Sequence, residues 1–161
     1  TGAGFPGIPL KILRPDLTIT LVDSLNKRIN FLNDVIVKLN LKNIVTVHSR
    51  VEDFGKNKIY REKFDFVTAR AVANLSVLSE YLLPICKIGG ECICMKGNNV
   101  EDELVSSKNA VSLLGGKVLC VDEFVLPDSD ISRSVVVLDK VKNTPARFPR
   151  KAGLPAKEPL K

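Results

Sequence analysis

The chain opens on Thr1-Gly2-Ala3-Gly4-Phe5-Pro6-Gly7-Ile8-Pro9-Leu10, and the reading of this stretch decides the fold. Gly2, Gly4 and Gly7 satisfy the pattern G-x-G-x-x-G, and an apolar, helix-like segment follows to Leu13 before Pro15 ends it. Glycine reaches positive φ and lets a ligand close on the main chain, so the run suits a nucleotide-sized ligand at a helix N-terminus. Such a loop ordinarily follows a buried strand. None precedes Thr1, so the expectation is that a first strand and an N-terminal region belong ahead of it.

Outward from the loop, Leu17–Asp23 alternates apolar residues with Thr and ends on an acid, the pattern of a strand. Asp23 stands about where a dinucleotide site places its ribose-binding acid. Ser24 is the expected N-cap of a helix with an apolar stripe of Leu25, Ile29, Leu32, Ile36 and Leu39, and Asn40 is its stop. Lys27 and Arg28 in its first turn oppose the helix dipole, which points either to solvated side chains or to an anion nearby. Asn43–His48 reads as a strand, Ser49–Gly55 as a polar connection, and Phe64–Ala69 as a strand followed by Arg70. A helix over 71–83, a break at Gly89-Gly90, a strand over 91–95 and a helix over 100–114 come next. Lys117–Val125 and Ser134–Val141, joined at Pro127–Asp130, read as an antiparallel pair. The alternation predicts an α/β fold with a mostly parallel, helix-covered sheet and ligands at the carboxyl ends of its strands.

A chain of 161 residues with 45% hydrophobic and 26% charged side chains can bury its own core. No apolar run is long enough to span a bilayer, and no signal peptide is visible. Cys86, Cys92, Cys94 and Cys120 lack zinc-like spacing and read as reduced thiols, with Cys92 and Cys94 on one strand face as small buried hydrophobes. No metal is expected. Of the net charge of +6, the last twenty residues carry +5. The expected organisation is a domain over 1–141 and a basic, Pro-rich, extended or disordered tail over 142–161.

Taken alone, the glycine loop and Asp23 fit NAD(P) and S-adenosylmethionine almost equally, because both present a ribose diol. The blocks TGAGFPGIPL, LVDSLNKRINFL, SRVEDF, FDFVTARAVANLSVLSEYLLP, CMKG and TPARFPRKAGLPAK are more specific. Together they resemble the glucose-inhibited division protein B family, bacterial small-subunit ribosomal RNA guanine-N7 methyltransferases, from residue 1 to the end. The resemblance implies a class I S-adenosylmethionine-dependent methyltransferase fold, Rossmann-like, with a closing antiparallel pair and its first strand missing. It implies S-adenosylmethionine as cofactor, 16S ribosomal RNA or the small subunit as partner, and a cytoplasmic enzyme. It places Gly2, Gly4 and Phe5 in the cofactor loop, Asp23 at the ribose, Val51 and Glu52 beside the adenine, and Arg70 in the cofactor site.

The residues agree with that chemistry. Guanine N7 has a free lone pair, so methyl transfer can be an in-line displacement driven by positioning, with no general base. His48, the chain's one histidine, reads as an exposed strand-end residue. Arg70 is the expected positioning residue, contacting the cofactor carboxylate or the target nucleotide; the structural alternative is an ion pair with an acid such as Glu80. Lys96, Arg147, Arg150 and Lys151 are expected to hold RNA phosphates, with Phe148 as a stacking surface. Two other readings are an NAD(P)-dependent oxidoreductase and a non-catalytic RNA-binding fragment.

Overall fold

Ile29 and Leu32, three residues apart, put two buried side chains on one face of the helix α2 (Asn26–Lys38). That helix belongs to the first of two units into which the chain divides, residues 1–51 and 52–161. The computed structural model describes residues 1–98 and 100–161. In the first unit β1 (Ile19–Asp23) and β2 (Ile44–His48) pair in parallel, with Ile19 opposite Ile44 and Asp23 opposite His48. Leu32 meets Ile8 of α1 (Gly7–Leu13), Leu21 and Ile44 in the core, with Ile19, Val35, Ile36 and Leu41 packed around them.

Two details of α2 differ from the sequence pattern. Leu25, not Ser24, is the N-cap, in extended conformation and without a side-chain cap of its own. The preceding acid does that work, because Asp23 Oδ1 accepts the Leu25 N–H at 2.9 Å. The apolar stripe is also shorter than its periodicity suggests: Leu25 and Leu39 are each 51% exposed, since both lie outside the helical span.

The second unit is built on a four-stranded sheet in the order β3-β4-β6-β5. β3 (Phe64–Arg70) runs parallel to β4 (Cys86–Lys96), and β6 (Ser132–Lys140) is antiparallel to both β4 and β5 (Gly116–Val125). Helix α4 (Leu75–Leu82) is buried at every residue, and it packs on β4, α5 (Glu101–Leu113) and α6 (Leu154–Lys157). Cys92 and Cys94 face this core on one side of β4, and burial pushes the Cys94 thiol up to about 12.

Here too the local pattern needed correction. The polar connection 49–55 contains a short helix, α3 (Val51–Lys56), whose buried Phe54 stacks on Tyr60 with ring centroids 4.1 Å apart. α4 begins at Leu75 because Ala71 is in the left-handed region (φ +53) and Asn74 caps the helix, accepting the Val77 N–H at 3.1 Å. β4 runs straight through Gly89-Gly90, where a break was expected. Phe66 on β3 is exposed.

The largest departure is the segment after Val141, expected to be extended or disordered and found packed. Phe148 is 4% exposed, and Thr144 and Pro155 are buried. Arg61 donates to Thr144 O and Phe148 O, both at 2.7 Å, and to Gly55 O at 3.1 Å. Thr144 in turn donates its N–H to Glu62 at 2.7 Å and its hydroxyl to Leu114 O at 2.6 Å. Buried Lys140 closes the cluster with Nζ 2.8 Å from Thr144 Oγ1 and 3.0 Å from Glu62. These partners lie far away in sequence, so no local periodicity announces them.

Candidate functional site

In the first unit the glycine loop folds back onto the end of β1. Asp23 is 6% exposed, and its Oδ2 accepts the Gly2 N–H at 2.9 Å and lies 3.1 Å from the Thr1 nitrogen. Arg28 adds a longer contact at 3.4 Å, so the anion near that first-turn cation is Asp23 itself. Burial pushes the Asp23 carboxyl up. The Leu25 and Gly2 N–H groups work against burial and hold it below the usual carboxylate range. The glycines have separate reasons to be there. A Cβ on Gly4, at φ +94, would lie 2.5 Å from Ile8 Cγ1, and one on Gly7 would lie 2.4 Å from Leu21 Cδ2. Gly4 therefore permits the turn and Gly7 the close approach of α1 to β1. Phe5 is half-exposed beside them, and Val51 is half-buried at the end of this unit. A buried carboxylate whose ionised form is favoured at neutral pH, tied to a tight glycine turn, fits a ligand that offers a ribose diol.

In the second unit Glu52 is buried, and its Oε1 accepts the Gly153 N–H at 2.7 Å. Arg70 ends β3 opposite Met95 of β4 and is exposed. The acid named as its structural alternative, Glu80, is engaged by Arg150 at 2.7 Å. Just beyond Arg70 lies a cleft of about 390 Å³, lined by Ala71, Val72, Met95, Lys96 and Glu103 among others. Lys96 Nζ sits 2.7 Å from Glu103 Oε2 and donates to Ala73 O at 2.8 Å. The same Glu103 oxygen accepts the Leu75 N–H at 2.7 Å. Thr68 Oγ1, two residues before Arg70, is buried without a hydrogen-bond partner among the described residues.

The basic side chains picked out for RNA differ in how they are engaged. Arg150 is bound to Glu80, and Lys96 to Glu103. Arg147 lies over the Phe148 ring at 5.0 Å, and Lys151 is exposed without an ion pair among the described residues. Phe148 is interior, 4% exposed, and so is not a surface on which a base could stack. His48 is exposed, with Nε2 3.0 Å from Ser24 O. Glu103 was missed by sequence reading: it sits among the acids of the first turn of α5, where the helix dipole already accounts for a carboxylate. Lys96 at the end of the preceding strand is the signal that could have found it. Among the described residues no three His, Cys, Asp or Glu side chains group to hold a metal, and no helix is long and apolar enough to cross a membrane.

This architecture is that of class I methyltransferases. A 16S rRNA adenine-N1 methyltransferase variant from Catenulisporales acidiphilia, solved with its cosubstrate SAM, matches at a TM-score of 0.70 and 17% identity, over 89% of this chain and 82% of that one. The particular family follows from sequence: the chain belongs to the GidB family, rRNA small subunit methyltransferase G, whose model matches residues 1–136. The ribosomal RNA small subunit methyltransferase G of Desulforamulus reducens is 55% identical over 99% of this chain and 67% of its own length. That of an Exiguobacterium species is 54% identical over the same shares, 99% and 67%. The chain thus spans about two thirds of the length of these relatives.

Proposed function

We propose that this chain forms the catalytic body of a cytoplasmic enzyme that methylates guanine N7 in 16S ribosomal RNA, using S-adenosylmethionine. The observation that carries the reading is the family match over residues 1–136 together with Asp23, a buried anionic strand-end acid bound to the glycine loop. Gly2, Gly4 and Phe5 would line the cofactor, and Asp23 would accept its ribose hydroxyls, displacing the long Arg28 contact. Val51 and Glu52 would border the adenine, with the Glu52 side chain held by Gly153. Arg70 would position cofactor or base at the end of β3. When bound, the cofactor supplies an electrophilic methyl group, and N7 accepts it without losing a proton, so these residues need only orient and desolvate. Lys96, Arg147, Arg150 and Lys151 are the proposed RNA-facing cations, and Arg150 acts mainly through its hold on Glu80.

The test is transfer of an isotopically labelled methyl group from S-adenosylmethionine to small-subunit RNA, free and in the assembled particle, by the intact protein. Label at N7 of one guanosine is expected. Binding of NADH with no methyl transfer would return the reading to a nicotinamide enzyme.

A further inference from the structure

N7 of adenine carries a lone pair as well, so an enzyme acting on N7 has to recognise guanine at another edge. Position 6 and N1 differ in sign between the two purines. Guanine presents an acceptor, O6, beside a donor, N1–H, with the N2 amine as a second donor. Adenine presents a donor amine at position 6 beside an acceptor, N1. A reader of guanine therefore needs one donor and one acceptor side by side, held where water cannot replace them.

Resting on the functional reading above, we infer that Lys96 and Glu103 are this reader, with Lys96 Nζ donating to O6 and Glu103 Oε1 accepting from N1–H and the N2 amine. Both residues line the cleft just past Arg70, at the carboxyl end of the parallel pair β3–β4, where α/β sheets bind their ligands. The two heads are 2.7 Å apart, and the side chains are 10% and 32% exposed, so the pair is rigid and partly desolvated without being sealed off. Its orientation is set from behind. Ala73 O holds the ammonium, and the Leu75 N–H holds the same carboxylate oxygen, Oε2, that faces Lys96. Among the described residues Oε1 has no partner, and the ammonium uses two of its three donors. Adenine in the same pose would set its amine against the ammonium and its N1 lone pair against the carboxylate, two repulsions at once. The pair is therefore a specificity device; the methyl transfer itself asks nothing of it.

The measurement uses the intact protein and a short RNA whose methylated guanosine has been mapped, with that nucleoside replaced by inosine, which lacks the N2 amine. Wild type should lose about tenfold in kcat/KM on inosine, the cost of one hydrogen bond to a charged acceptor. Glu103→Gln should lower kcat/KM on guanosine by about tenfold to a hundredfold and narrow the guanosine-to-inosine ratio toward one. S-adenosylmethionine affinity, measured by calorimetry, should stay near wild type, while Tm falls because Lys96 loses its counter-charge. A Glu103→Gln protein that keeps the wild-type ratio overturns the assignment. Should that variant fail to fold, wild type decides alone, because equal rates on the two nucleosides overturn it equally. A wild-type protein that methylates no RNA while binding S-adenosylmethionine refutes the functional reading itself.

Discussion

Glu80, fully buried, receives the guanidinium of Arg150 on both carboxylate oxygens, Nη2 at 2.7 Å from Oε2 and Nε at 3.0 Å from Oε1, across 70 residues of sequence. The Arg150 backbone N–H adds a third donor at 2.8 Å. Removing the cation would strand a buried charge, which costs more than the pair itself contributes. Arg150→Ala should lower stability by about 3 kcal/mol, read as a fall in the urea midpoint at unchanged slope. Arg150→Lys should restore only part of it, because an ammonium cannot bridge both oxygens in the same plane.

A Cβ on Gly7 would sit 2.4 Å from Leu21 Cδ2, in a core where Ile19 Cγ2 is also near at 3.6 Å. The side chain of Leu21 is itself packed, so relief requires α1 to lift from β1. Gly7→Ala should therefore destabilise by about 1–3 kcal/mol in thermal unfolding, despite the better helix propensity of alanine. An unchanged Tm would mean that the helix moves at no cost.

Hydrogen bonds from the Leu25 and Gly2 N–H groups hold the Asp23 carboxyl below the range near 4 in which an unfolded aspartate titrates. A depressed folded pKa contributes stability that is present above the unfolded value and is lost as pH falls through the folded one. The unfolding free energy of the wild type, from urea titrations, should fall as pH drops below 4, by on the order of 1–2 kcal/mol from this group. Asp23→Asn should flatten that limb and weaken S-adenosylmethionine binding at neutral pH, both measurable on the same preparation.

Arg70 lies at the end of β3, exposed, and carries little of the core. Arg70→Ala should fold with a near-normal Tm and reduce methyl transfer about a hundredfold, the scale of a misplaced reactant. Wild-type turnover in this variant would exclude Arg70 from the site.

Where structure followed from neighbours in sequence, it was legible. The alternation ending at Asp23, the stripe through Ile29 and Leu32 and the turn after Pro127 each encode a local element, and the antiparallel β5–β6 pair follows from the last. Partnership at a distance was not legible. Nothing local to Arg61, Glu62 or Glu80 points to Thr144, Phe148 or Arg150, yet through them they order a proline-rich tail without periodicity. The same holds for the cleft, where Lys96 reads as a phosphate contact until Glu103 and the Ala73 carbonyl are seen to hold it.

The packed tail also decides how its RNA role must be tested. Cutting the chain at Val141 would remove Thr144, Phe148 and Pro155 from buried positions, so lost RNA affinity would report unfolding as readily as lost charge. Arg147 and Lys151 are exposed, and neither makes a salt bridge among the described residues. Replacing both with Ala removes two cations and leaves the Glu80–Arg150 pair in place. If each neutralises one phosphate, the slope of log K against log salt should flatten by about 1–2. Circular dichroism and Tm should match the wild type, and base preference should not change, because phosphate contacts carry no sequence information. A slope equal to wild type would place the RNA elsewhere on the protein and leave the tail with its structural duty alone.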